Sequence, residues 1–422
     1  MLPVHGTSRL WKTLSALGIV LLGIGACSPT ETPKPTKPAA TATLPAVDWQ
    51  RPARPIDQNS VETVHLTGLL QQHQSTVNAV DFSQSGTRMV TIGADDQLVL
   101  WNLASGEPLI AQDGNQGREV FFGPNDTHVI TITPMGRVDV WAVNVSPPRS
   151  LDIVTSFQGF EGRVTSVAHS PDRTLLAFGG VDGSVHIWRM PAGEPVAEFT
   201  AHAGTVQALT FAPDGRSLVP VSMDRGVSLW QMPQGTLLHK FTDPEREGID
   251  ILPLNAVFSP DGTLLAVSTE NGVRVWNVPS GEEQYTIQAV QNAAANTLTF
   301  SPDGTLLVGC GSQPLIGVWD AQSGDALGLL PTQGELCANA VVSPDSTLLV
   351  VVPRPGRDVY LWNLQHIRDD VPPEEKKLDR ADRHTLGLPP AVRFYDVFWS
   401  PDGRFIVLLD ELGPIYVLSA AE

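Results

Sequence analysis

Cysteine is scarce: three residues in a chain of 422, with no Cys-x-x-Cys pair. That excludes a zinc site built from cysteines. Basic charge is scarce too, with 27 Lys and Arg against 45 Asp and Glu, a net −18. Residues 1–26 hold Arg9 and Lys12 and no acid, so the remainder carries 25 bases against 45 acids, or −20. Such a surface repels phosphate backbones, and nucleic acid is not an expected partner. There is no Gly-x-Ser-x-Gly elbow, no His-Glu-x-x-His and no Asp-x-[Asp/Asn]-x-[Asp/Asn]-Gly loop. A hydrolase built on that elbow, a metalloprotease helix and a calcium-loop propeller lose their sequence support. No cofactor and no metal is expected.

What the chain has is turns and apolar residues. Hydrophobic residues make up 42%, enough for a packed body. The 37 glycines and 35 prolines suit a protein of many short elements.

The N-terminus reads as an address. Arg9 and Lys12 precede LSALGIVLLGIGA at residues 14–26, a run too short to span a bilayer comfortably but laid out like a secretory signal. The junction Ile24-Gly25-Ala26-Cys27 resembles a bacterial lipobox. That resemblance implies a signal peptide at 1–26 and a lipidated Cys27 as the first mature residue. The alternative is an ordinary signal peptide with a stray cysteine. Ser28 resembles the residue that favours outer-membrane sorting. Seven prolines fall between Pro29 and Pro55, so residues 27–60 read as a semi-stiff tether. The expected location is extracytoplasmic, at the cell surface or on the periplasmic side of an outer membrane.

From residue 61 to 422 the chain repeats itself. Trp101, Trp141, Trp188, Trp230, Trp276, Trp319 and Trp362 are 40, 47, 42, 46, 43 and 43 residues apart. A turn motif keeps a second rhythm: FSQSG at Phe82, FGPND at Phe122, HSPDR at His169, FAPDG at Phe211. It continues as FSPDG at Phe258 and Phe300, VSPDS at Val342 and WSPDG at Trp399. The motif's second residue precedes the tryptophan by 17 to 19; in the eighth unit Leu418 takes that place. Proline presets φ, aspartate bonds its own backbone and glycine accepts positive φ, so each motif is a turn between two strands. A glycine follows five residues after most of these tryptophans: Gly106, Gly193, Gly235, Gly281, Gly324. Four short strands per repeat are the pattern of a β-propeller blade.

The repeat resembles the WD-repeat family over residues 61–422. The resemblance implies an all-β, WD40-like propeller. The chain ends after a third strand, and VETVHLTGLL at 61–70 reads as the missing fourth. Eight four-stranded blades closed by this N-terminal strand are expected, with seven as the alternative if the eighth unit is an appendage. Only His73 and His202 sit at the family's histidine position, with Phe160 there in the third unit; the turn aspartate stands at Asp95, Asp182 and Asp224. The resemblance makes His73, Asp95 and Trp101, and again His202, Asp224 and Trp230, a structural hydrogen-bonded brace, not catalytic dyads.

Other chemistry is thin. Cys310 and Cys337 fall in strands of neighbouring units; a disulfide is open to them outside the cytoplasm, but both positions suit small buried thiols, the reading adopted. Expected channel-facing strands are small and apolar; Asp81 and His169 are polar exceptions that do not recur in register. Recognition then falls to loops. Two are long: residues 367–383, with Asp369, Glu374, Glu375 and Arg380, and residues 242–251, with Asp243, Glu245 and Arg246. The first assumes that TLGLPP at 385–390 is the seventh unit's fourth strand. These loops are candidate partner contacts or solvated excursions. The expected function is that of a non-enzymatic, monomeric platform, membrane-held through its lipid and binding a protein or surface polymer. The alternative is an extracytoplasmic propeller enzyme or envelope-assembly lipoprotein with a site in the central channel.

Overall fold

A computed structural model of the chain describes residues 49, 52–147, 149–224, 226–241, 253–269, 272–288, 295–311, 313–332, 334–354, 358–368, 383–389 and 392–420. Cys27 and the candidate loop residues Asp243, Glu245, Arg246, Asp369, Glu374, Glu375 and Arg380 lie outside them.

The strands form eight antiparallel four-stranded sheets. Blades 1 to 7 each use four consecutive strands: blade 1, for instance, is Val77–Phe82, Arg88–Gly93, Leu98–Asn102 and Glu107–Gln112. Blade 8 pairs Phe394–Trp399, Ile406–Asp410 and Ile415–Ala420 with the N-terminal strand Val64–Leu70. The ring is therefore closed by an N-terminal strand and has eight blades, not seven. Closure pairs an edge that would otherwise face solvent. Leu418 sits in the tryptophan slot, opposite Ile406 as Trp101 is opposite Met89, and is 1% exposed.

Eight apolar clusters fill the spaces between blades. Val90, Ile92, Leu98 and Leu100 of blade 1 meet Val120, Phe122, Val129 and Trp141 of blade 2. Phe405, Val407, Leu409 and Val417 of blade 8 meet Val80, Met89, Val99 and Trp101 of blade 1. Each tryptophan slot thus helps seal a blade to its predecessor, which is why one repeat cannot stand alone.

The turn motif's fifth residue has positive φ in every blade. Glycine takes it in five; Asp126, Arg173 and Ser346 take it in blades 2, 3 and 7 at φ 56°, 61° and 64°.

Three expectations change. The fourth strand of blade 7 is Arg383–Thr385, not residues 385–390. Arg383, His384 and Thr385 pair with Trp362, Leu361 and Tyr360, and the chain then turns away toward Pro389, which has no N–H to extend a ladder. Cys310 and Cys337 form a disulfide and are not two thiols. The second strand of blade 6 and the first of blade 7 bring their Cα atoms to 5.8 Å, within bridging distance. Packing also reaches back past residue 61: Ile56 is 1% exposed, and its N–H bonds Gly403 O at 2.9 Å.

Candidate functional site

Two faces are set by strand direction. First strands all run the same way, so second-to-third turns and the loops entering each blade share one rim. The Pro-Asp-Gly turns and the third-to-fourth turns share the opposite base.

On the rim of blade 1, His73 comes from the entering loop, Thr91 from the second strand, Asp95 from the following turn and Trp101 from the third strand. Trp101 Nε1–H donates to Thr91 Oγ1 at 2.9 Å. Thr91 Oγ1 lies 2.7 Å from His73 Nε2, and His73 Nδ1 lies 3.0 Å from Asp95 Oδ1. The other carboxylate oxygen accepts the Gln74 N–H at 2.7 Å. A neutral imidazole with its proton on Nδ1 makes every joint a donor facing an acceptor. Burial lowers the His73 pKa, against the hydrogen bond and charge of Asp95, and the net value lies below the ordinary 6.5. Burial lifts the Asp95 carboxyl, but the Gln74 N–H, the His73 ring and the Gln97 N–H hold it below the ordinary range. Gly93 is required here: a Cβ would come within 2.2 Å of Asp95 Oδ1.

Hydroxyl, imidazole and carboxylate in a row resemble a nucleophile with its base. Here the hydroxyl oxygen already accepts an indole N–H, Thr91 is 0% exposed and the His73 side chain is closed to solvent. A substrate has no approach, so the arrangement is a brace.

Blade 4 builds the same joint differently. Pro220 occupies the second-strand register of Thr91, each opposite the corresponding first-strand residue. The hydroxyl comes instead from Ser228 on the third strand. Trp230 Nε1–H donates to it at 2.8 Å, and it lies 3.0 Å from His202 Nε2. His202 Nδ1 is 3.3 Å from Asp224 Oδ1. In blade 2, Asn115 Nδ2 and Trp141 Nε1 both donate to Thr131 Oγ1. In blade 3, Phe160 fills the histidine place edge-on to His186, and Trp188 Nε1–H donates to Gly159 O at 2.7 Å. Thr91, Thr131, Asn115 and Ser228 were not singled out by the sequence; threonine ten residues before tryptophan in the first two units was the available signal.

On the inner base, Asp81 and His169 are not strays. Arg173, 6% exposed, donates to Phe82 O at 2.8 Å and lies 3.4 Å from Asp81 and 3.5 Å from Asp126. Asp81 accepts the Phe122 N–H at 2.7 Å, and Asp126 the Gln84 N–H at 3.0 Å. Burial lowers the His169 pKa, against the charge of Asp81. One arginine from a left-handed turn position therefore ties three blades together.

The rim also carries exposed apolar tips. Met135, Val181, Met223 and Leu412 stand in the second-to-third turns of blades 2, 3, 4 and 8 and are 64%, 50%, 54% and 73% exposed. Ala94 takes the place of Val181 and Met223 in blade 1 and is exposed as well, whereas Met135 and Leu412 take the place of Asp95. Exposed acids Asp96, Asp182, Asp224 and Glu411 stand beside them. In blades 5 to 7 parts of these turns lie outside the described residues. Among the described residues no three His, Cys, Asp or Glu side chains converge as a cation site, and no helix is long and apolar enough to cross a membrane.

Known proteins agree with this architecture. The family model described as WD domain, G-beta repeat, matches residues 64–102 and 151–189. A model for a domain of unknown function, DUF7165, matches residues 207–315. RACK1y, a small ribosomal subunit protein of Oryza sativa subsp. japonica, is 29% identical over 29% of this chain and 37% of its own. The transcriptional corepressor LEUNIG_HOMOLOG of Arabidopsis thaliana is 25% identical over 29% of this chain and 15% of its own. The matched segment is thus well under half of either relative. Sqt1 of Saccharomyces cerevisiae superposes with a TM-score of 0.70 at 16% identity, over 85% of this chain and 100% of that one. Chaetomium thermophilum Sqt1 does so with 0.69 at 17%, over 84% and 98%; it has also been solved bound to the N-terminus of the ribosomal protein L10. The fold is a WD40-type β-propeller. Within it the chain carries WD repeats at the two matched segments.

Proposed function

We propose that this protein is a non-enzymatic platform, lipidated at Cys27 and held at the extracytoplasmic face of a membrane, that binds a protein through its rim. The apolar tips Met135, Val181, Met223 and Leu412 carry this reading. They stand in the second-to-third turns of four blades, Val181 and Met223 just before the turn aspartate and Met135 and Leu412 in its place, and large apolar side chains held in solvent there have no value for folding. Exposed acids beside them suit a partner segment that is apolar and basic. The solved Sqt1 complex is a case of a similar propeller holding a protein N-terminus.

Two observations support the location. The Cys310–Cys337 disulfide suits an oxidising compartment. The tether meets the propeller on its base, where Trp49 and Ile56 lie against the Gly106 and Gly403 turns. An anchor on that side leaves the rim facing outward.

The test is crosslinking on intact cells with the full chain as bait, read by mass spectrometry. A Met135→Asp, Val181→Asp, Met223→Asp variant and a deletion of residues 369–382, which spares the buried Ile367 and the strand residue Arg383, run beside it. A near-stoichiometric protein, lost in the triple variant and kept in the deletion, is expected. Retention in the triple variant refutes the rim, and no partner in any sample refutes the platform. Labelling with a diacylglyceryl precursor that survives Cys27→Ser refutes the anchor.

A further inference from the structure

Five blades turn the third strand into the fourth at a glycine, and in blades 3 to 6 that glycine is covered by the preceding blade. Phe157 and Thr155 lie over Gly193, Phe199 and Ala197 over Gly235, His239 over Gly281 and Tyr285 over Gly324. Thr155, Ala197, His239 and Tyr285 share one register, each opposite the residue before a tryptophan. At the seam between blades 8 and 1 the residue in that register is Gly68, opposite Val417. Glycine has no side chain to lay over Gly106.

Trp49 supplies one. A Cβ on Gly68 would come within 2.1 Å of its ring, and a Cβ on Gly106 within 2.3 Å. The indole stacks on Phe405 with centroids 5.8 Å apart, and its N–H donates to Leu103 O at 3.2 Å. Phe405 belongs to blade 8 and Leu103 to blade 1, so one side chain touches both sides of the seam.

We infer that Trp49 is an aromatic clasp: an indole from the proline-rich segment replaces the side chain that the closing strand lacks and locks Val64–Leu70 in place. The propeller then includes residues that composition assigns to the tether, and a pull on the tether is taken up at the base before it reaches the closing strand. Gly68 does not stand at a positive φ, so its missing side chain is explained by the space the indole occupies.

Hydrogen exchange on the full chain tests this with Trp49→Ala, Gly68→Tyr and the double variant. Trp49→Ala should speed exchange in Val64–Leu70 by roughly tenfold or more while leaving Thr236–Phe241 of blade 4 unchanged. Gly68→Tyr alone should also loosen the strand, because its ring competes with Trp49 for one place. The double variant should recover protection, since tyrosine then covers Gly106 as Tyr285 covers Gly324. Strictly additive loss in the double variant overturns the clasp. So does unchanged exchange in Trp49→Ala, or acceleration spread equally to blade 4. Should Gly68→Tyr not fold alone, recovery in the double variant still decides the matter.

Discussion

Blades 1 and 4 make the same joint from different strands. In blade 1 the hydroxyl between indole and imidazole is Thr91, on the second strand. In blade 4 the second strand has Pro220 there, and Ser228 on the third strand takes over. Proline also interrupts the ladder: between those strands Ser217, Leu218 and Val221 pair with the third strand and Pro220 does not. His202 Nε2 consequently faces two oxygens, Ser228 Oγ at 3.0 Å and Pro220 O at 3.3 Å, and its contact to aspartate is longer than that of His73. The joint demands a hydroxyl that accepts from an indole and lies within hydrogen-bond distance of an imidazole nitrogen. It does not demand a particular strand.

Removing the hydroxyl in blade 1 should do the greater damage. Thr91→Val keeps the shape but leaves Trp101 Nε1–H and His73 Nε2 buried without partners. At about 1–3 kcal/mol for each unsatisfied group, a loss of roughly 3 kcal/mol is expected in denaturant unfolding. A loss below about 1 kcal/mol would mean that the brace does not hold blade 1.

Ser228→Ala should cost less, about 1–2 kcal/mol, because Trp230 and His202 are slightly exposed and water can reach the vacated joint. Pro220→Thr sharpens the comparison. It returns an N–H to the ladder and a hydroxyl to the second strand, so in the Ser228→Ala background it should recover most of the loss. A double-mutant cycle with no coupling between residues 220 and 228 would show that the two positions do not exchange roles.

These joints mark how far the sequence could be read. The repeat made the ring legible, because two independent rulers agreed over seven units, the turn motif marked an eighth, and a missing fourth strand pointed to residues 61–70. Histidine, aspartate and tryptophan were legible by spacing. The hydroxyl in blade 4 was not, because spacing does not say which of two adjacent strands turns a side chain into the gap. Arg173 stands where five of the eight motifs have glycine, and nothing in the motif says that it reaches Asp81, 92 residues away. Trp49 was hidden by its neighbours, a lone indole in a proline-rich stretch. The Cys310–Cys337 pairing depends on which faces two blades turn toward each other, and a separation of 27 residues leaves that open.

Acid should strain both braces by a smaller, graded amount. Burial disfavours the imidazolium of His73 and of His202 more than Asp95 and Asp224 favour it, so both titrate below the ordinary 6.5. The unfolded chain therefore binds protons at a pH where the folded one does not. Their contribution is full above pH 6.5 and declines as pH falls below it toward the folded values. His128 and His169 are lowered by burial and act in the same direction. Asp95 and Asp224 are held below the ordinary 3.8, so their contribution is lost only in stronger acid. Between pH 6.5 and 4.5 a falling melting temperature should thus report the histidines. His73→Gln and His202→Gln, neutral throughout, should each flatten that slope while lowering the plateau above it. A slope unchanged in both variants, or a melting temperature that rises on acidification, would show that neither imidazole is held neutral in its joint.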